Sequence, residues 1–209
     1  MALTKVRTGG ITADAVDNTI LKLDDNFAFT GTITGTQGLV LLQTVTASDD
    51  ATLTIGSSSL FTTTYKVYQI FGINVHPVND GPEFRCRVST GGSVQTASAY
   101  EYSRRQTIHS NSTITNRGSN SDAIVNLAES LGNGTNECHN ILMTLYNPTE
   151  TTFTKNINFM SAGRDLSPNT ALNTGAFSFE GNENAIDGVQ FFMNSGNIES
   201  GTFKLYGVV

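Results

Sequence analysis

YKVYQIFGINV, residues 65–75, is dense in β-branched and aromatic side chains, and the turn sequence Asn79-Asp80-Gly81-Pro82 separates it from EFRCRVS, residues 83–89. In the second stretch Phe84, Cys86 and Val88 alternate with Arg85 and Arg87. Successive side chains of a strand point to opposite faces, so this alternation predicts a strand with one face buried and the other in water. Two strands and a turn set the pattern for what lies on either side.

Towards the C-terminus, Gly91-Gly92 turns the chain, and Ala99 to Ile108 follows with Tyr100 and Tyr102 on one face. Asn136 to Tyr146 alternates Ile141, Met143 and Leu145 with polar neighbours until Asn147-Pro148 breaks it. Phe153 to Phe159 reads as a further strand through Lys155 and Ile157. Ile186 to Met193 and Ile198 to Val208 flank Asn194-Ser195-Gly196-Asn197, which predicts a closing hairpin. Shorter strands are expected at Leu39–Thr46, Leu53–Ile55, Ile124–Leu127 and Ala176–Phe179. With about eight to ten strands, the fold class expected for residues 39–209 is all-β, a jelly-roll-like β-sandwich. The stretches 109–121 and 161–174, rich in Ser, Asn and Gly, are expected to be loops.

Residues 1–38 read differently. From Thr12, a helix N-cap candidate, Val16, Ile20, Leu23 and Phe27 recur at helical spacing, with Asp14 and Asp17 in the first turns. Phe27, Phe29 and Ile33 then suit an extended segment punctuated by Gly31, Gly35 and Gly38. So short a helix is marginal alone, so its face Val16, Ile20, Leu23, Phe27 needs a partner: its own sandwich, sister copies of itself or, as an attachment arm, another protein.

Composition narrows the function. Charged residues are 14% of the chain, where about 25% is usual, so Ser, Thr, Asn and Gly supply the polar surface. A net charge of -6, with twelve Lys and Arg spread along the chain, disfavours nucleic acid as a partner. No apolar run approaches the roughly 18 residues that span a bilayer, and MALTKVRTGG lacks the apolar core of a secretion signal. No nucleophile elbow, phosphate loop, zincin motif or CxxC occurs, so no catalytic residue, cofactor or metal is expected. His76, His109 and His139 are far apart in sequence. Only their convergence with Glu137 or Asp80 would make a metal site, and they read more simply as a strand-end, a loop and a sheet-surface histidine.

Other candidate sites have plain explanations. Asp49-Asp50 and Asn79-Asp80-Gly81 suit turns better than calcium loops. Nothing singles out a hydrolytic pair among Glu83, Glu101, Glu129, Glu137, Glu180 and Glu183. Asn111-Ser112-Thr113 and Asn133-Gly134-Thr135 match the glycosylation pattern and read as Asn-rich turns. Cys86 and Cys138 are expected to be buried in strands and unreactive, with a bridge between them left open.

Three stretches carry a family resemblance: MALTKVRTGGITADAVDNTILKLDDNFAFTGTITG at the start, YKVYQIFGINVHPVNDGPEFRCRVSTGG with SAYEY in the middle, and IDGVQFFMNSGNIESGTFKLYGVV at the end. Together they resemble bacteriophage virion structural proteins, in particular appendage proteins of marine phages. The resemblance implies a non-enzymatic homotrimer in the virion, assembled in the host cytoplasm and held to other virion proteins by its N-terminal arm. It also implies an outward-facing sandwich, of tail-fibre type or else a capsid decoration or head-fibre protein. In the tail-fibre reading the low-charge Ser, Thr and Asn surface suits loops of the sandwich to host-surface polysaccharide.

Overall fold

The computed structural model describes residues 38–110 and 114–209. The chain divides into two units, Met1–Thr36 and Gln37–Val209, and the described residues all belong to the second. The expected helical face Val16, Ile20, Leu23, Phe27 and the sequence Asn111-Ser112-Thr113 lie outside them.

The described residues form strands and no helix. In chain order these are β1 (Leu39–Asp50), β2 (Leu53–Ile55), β3 (Val67–Pro77), β4 (Phe84–Thr90), β5 (Ser93–Val94), β6 (Tyr100–Ile108) and β7 (Ile114–Asp122). There follow β8 (Val125–Ala128), β9 (His139–Tyr146), β10 (Ile157–Arg164), β11 (Thr170–Phe179), β12 (Ile186–Met193) and β13 (Ile198–Val208). The larger sheet has the order β1-β13-β3-β9-β10-β11-β6-β7, and the smaller is β2-β12-β4-β5 with β8 also paired to β4. All pairings are antiparallel. This is the all-β sandwich that the alternation predicted, and its first four strands switch sheet at each step.

Alternation places the core. Tyr68 and Ile70 of β3, Ile141, Met143 and Leu145 of β9, and Phe203 and Leu205 of β13 face inward from the larger sheet. Phe84, Cys86 and Val88 of β4 meet them with Val189 and Phe191 of β12. Phe191 and Phe203 touch across the two layers, with ring centroids 4.9 Å apart. Tyr100 adds a polar tie between the sheets: its hydroxyl accepts from Val88 N at 3.0 Å and donates to Gln95 O at 2.8 Å.

Three expectations fail. Ile186–Met193 and Ile198–Val208 are not hairpin partners. The turn at Asn194–Asn197 carries the chain across the core, leaving β12 in the smaller sheet and β13 in the larger. Both arrangements bury alternate residues, so the pattern alone did not separate them. The expected loops 109–121 and 161–174 hold nearly all of strand β7, the end of β10 and the first half of β11. Finally, the strand expected at Phe153–Phe159 begins only at Ile157, Phe153 is 71% exposed, and Lys155 turns in to donate to Glu183 O at 2.9 Å.

Part of the interior is polar. Gln106, Asn173 and Ser161 are buried in register across β6, β11 and β10. Beside them the buried Arg104 donates from Nη1 to Asn173 Oδ1 at 2.8 Å, and its Nη2 lies 2.9 Å from Glu129 Oε1 without the angle of a hydrogen bond.

Candidate functional site

At the end of the larger sheet where β3 finishes and β13 begins, the chain forms an open cleft of about 810 Å³. Three segments build it. The end of β3 supplies Asn74 and His76, the segment before β9 supplies Asn133, Thr135, Asn136, Glu137 and Cys138, and β13 opens with Glu199 and Ser200.

Asn74 reaches the cleft because β3 bulges. The pairing of β3 with β9 shifts between Gly72 and Val75, and Ile73 and Asn74 are both exposed, which breaks the alternation. Asn74 sits at φ 52°, a left-handed conformation that Asn tolerates better than most side chains. Its backbone N donates to Asn140 Oδ1 at 2.9 Å, and Cys138 Sγ lies 3.6 Å from its Oδ1. Opposite, Gly201 approaches closely at φ 142°: a Cβ there would lie 3.0 Å from Val75 Cα.

The segment before β9 is pinned at both ends. Leu131 N donates to Pro82 O at 3.0 Å and Gly132 N to Arg164 O at 3.0 Å. Asn133 Nδ2 donates to Val78 O at 3.0 Å, and its backbone N reaches Asp80 Oδ1 at 3.3 Å. Glu137 folds back to accept from Gly134 N at 2.8 Å, with its carboxylate over Gly132 and Gly134, where a side chain would collide with it.

His76 anchors the middle of the cleft. Its Nδ1 lies 2.7 Å from Glu199 Oε2 and its Nε2 3.2 Å from Gly134 O. Both ring nitrogens thus face acceptors, and Cys138 points to Asn74. Neither group is aligned on the other, so the cleft presents carboxamides, hydroxyls and carboxylates rather than an assembled nucleophile and base. Such walls hydrogen-bond a polyhydroxylated or otherwise polar ligand.

Of the residues singled out from sequence, the cleft gathers His76, Glu137, Cys138 and Asn133. His109 is exposed beyond the end of β6. His139 was expected on the sheet surface and is buried instead, with Nε2 2.8 Å from Arg164 O. Burial lowers its affinity for a proton, outweighing the Arg164 carbonyl and Asp165. Among the described residues no group of three or more His, Cys, Asp or Glu is placed to hold a metal ion. Cys86 is buried and free, and burial raises its thiol well above the usual range. Cys138 corrects the expectation of two buried thiols: it precedes β9 and is only partly covered.

The glutamates sort by environment. Arg117 brings Glu83 and Glu129 together, its Nη1 donating to Glu83 Oε1 at 2.6 Å and to Glu129 Oε2 at 3.1 Å. Arg85 Nε donates to Glu83 Oε2 at 2.8 Å. Burial works to raise the Glu83 carboxyl, but Arg117 and Arg85 prevail and hold it below its ordinary value. These carboxylates are paired ions that close one side of the sandwich.

Fold and cleft together define an all-β sandwich with a polar cleft at one end of its larger sheet. The chain matches no family model, no curated protein and no solved structure.

Proposed function

We propose that this is a non-enzymatic bacteriophage virion structural protein of tail-fibre type, attached through residues 1–38 and binding host-surface polysaccharide through the polar cleft. The homotrimer implied by the family resemblance belongs to the same proposal. One observation carries the reading. The domain is entered at Gly38, whose carbonyl accepts from Val209 N at 3.0 Å, while the cleft lies at the opposite end of β13. Eleven residues of strand separate the two, a distance of about 35 Å at 3.2–3.4 Å per residue. A domain held at residue 38 therefore presents the cleft away from its attachment.

The test separates attachment from binding. Deleting residues 1–35 is expected to abolish incorporation into particles. The double substitution Asn74→Ala with Asn136→Ala is expected to leave incorporation intact and to abolish adsorption of the particles to host cells. Truncated protein that still incorporates refutes attachment through the arm. Cleft-substituted particles that adsorb normally refute the cleft as the receptor site.

A further inference from the structure

The outer face of the larger sheet is unusual for a surface that meets water. An antiparallel sheet with one solvated face ordinarily shows polar residues there. In this sheet, strands β13, β3, β9, β10 and β11 point Tyr206, Phe71, Ile73, Leu142, Met160 and Leu172 outward. Met160 is 47% exposed and Leu172 42%. Among the outward residues of β3, β9, β10, β11 and β13 from Thr202 onward, only Lys204 and Arg164 carry charge.

Register makes these side chains a continuous surface. Phe71 pairs with Leu142 and Leu142 with Met160, giving one apolar row across three strands. Tyr206 closes on Phe71 with ring centroids 5.5 Å apart in edge-to-face contact. The neighbouring row runs from Asn140 to Ala162. The two rows border a groove of about 200 Å³ whose lining is almost wholly apolar.

We infer that copies of this chain associate through this outer sheet face. The area suffices: five strands at about 4.8 Å spacing, each contributing some 27 Å of length, present about 650 Å² per copy. With an equal area covered on the neighbouring copy, the contact buries about 1,300 Å², within the range of stable specific interfaces. Charge points the same way. With a net charge of -6, copies repel one another over most of their surface, and this face carries none of the acidic groups responsible. The contiguous apolar part of this face, Tyr206, Phe71, Leu142 and Met160 with Leu172 and Ile73 beside them, marks an interaction site.

The experiment is sedimentation equilibrium on the full chain over a concentration series, read against 22.4 kDa per chain. A mass of two or more chains is expected. Leu142→Lys and Met160→Lys, each placing a charge in the central row, are expected to weaken association by about tenfold or more. Asn116→Lys, on β7 away from the row, is expected to leave it unchanged. A second reading needs no substitution. Peroxide oxidation of Met160 to the sulfoxide should slow as protein concentration rises and copies cover the thioether. A monomer at every concentration overturns the inference. So does an oligomer that both substitutions leave intact, or a Met160 oxidation rate independent of concentration in a protein that does associate, because the face would then be covered by another protein or by none.

Discussion

Replacing Phe191 by alanine tests the crossing of the chain between the two sheets. Phe191 is fully buried on β12, stacked 5.6 Å from Phe84 in its own sheet and 4.9 Å from Phe203 in the other. Truncating a buried phenylalanine costs about 3–5 kcal/mol, because the lost transfer energy is joined by a cavity that the layers only partly close. For a domain of this size each kcal/mol lowers the melting temperature by about 2–4 °C, so a drop of roughly 10 °C is expected. Its neighbour Phe192 points outward under Arg87, whose guanidinium carbon is 4.8 Å from the ring centroid. Phe192→Ala should cost only about 0.5–1 kcal/mol. The assay is thermal and urea unfolding followed by circular dichroism for Phe191→Ala, Phe203→Ala and the double substitution. The two rings should couple by about 0.5–1.5 kcal/mol, as facing aromatics do. In a hairpin, Met193 would sit opposite Ile198 and Phe191 opposite Ser200, leaving Phe203 out of reach. Additive effects of the two substitutions would therefore refute the crossing.

Three further outcomes are expected. One thiol per native chain should react with a thiol reagent, the partly covered Cys138, with Cys86 reacting only after unfolding; two fast thiols would show the core around Cys86 to be open. Acid should destabilise the fold in two steps. Burial holds the proton affinity of His139 below its ordinary value, so stability is full above the unfolded value of 6.5 and declines as pH falls below it. Glu83 adds stability that is full above 4.5 and lost as pH falls through its lower folded value. Urea midpoints that are flat from neutral pH down through both steps would contradict this. Gly163→Ala would drive a Cβ into Cys138 O and the His139 ring, so a loss of about 1–3 kcal/mol should appear in the melting curve.

Legibility in the sequence followed the chemistry of the inward positions. Strands whose buried side chains are all apolar were readable almost to the residue, as at Leu53–Ile55 and Ile198–Val208. β11 was visible only from Ala176, because its earlier inward positions are Ala171, Asn173 and Gly175. Asn173 is tolerated there by Arg104, a partner 69 positions away that no local pattern announces. β7 is polar on both faces and is held by its pairing with β6, so its sequence resembles a loop. The cleft was legible in fragments. His76, Glu137 and the Asn133 turn drew notice for their chemistry, whereas Asn74, Glu199 and Ser200 depend on a bulge and on the meeting of β3 with β13, both products of long-range pairing.

The meeting of Gly38 with Val209 has a mechanical consequence. Load applied at the cleft and resisted at residue 38 runs lengthwise along the ladder of β1 and β13, whose pairs extend from Leu39 and Val208 to Asp50 and Ile198. Those backbone bonds then share the force in parallel, and β13 passes it on to β3 through a second ladder. A pull between the two chain ends acts on the same ladder from its Gly38 corner and parts its bonds one after another. The domain therefore resists tension on the line from its entry point to its cleft, and yields most readily when its own ends are drawn apart.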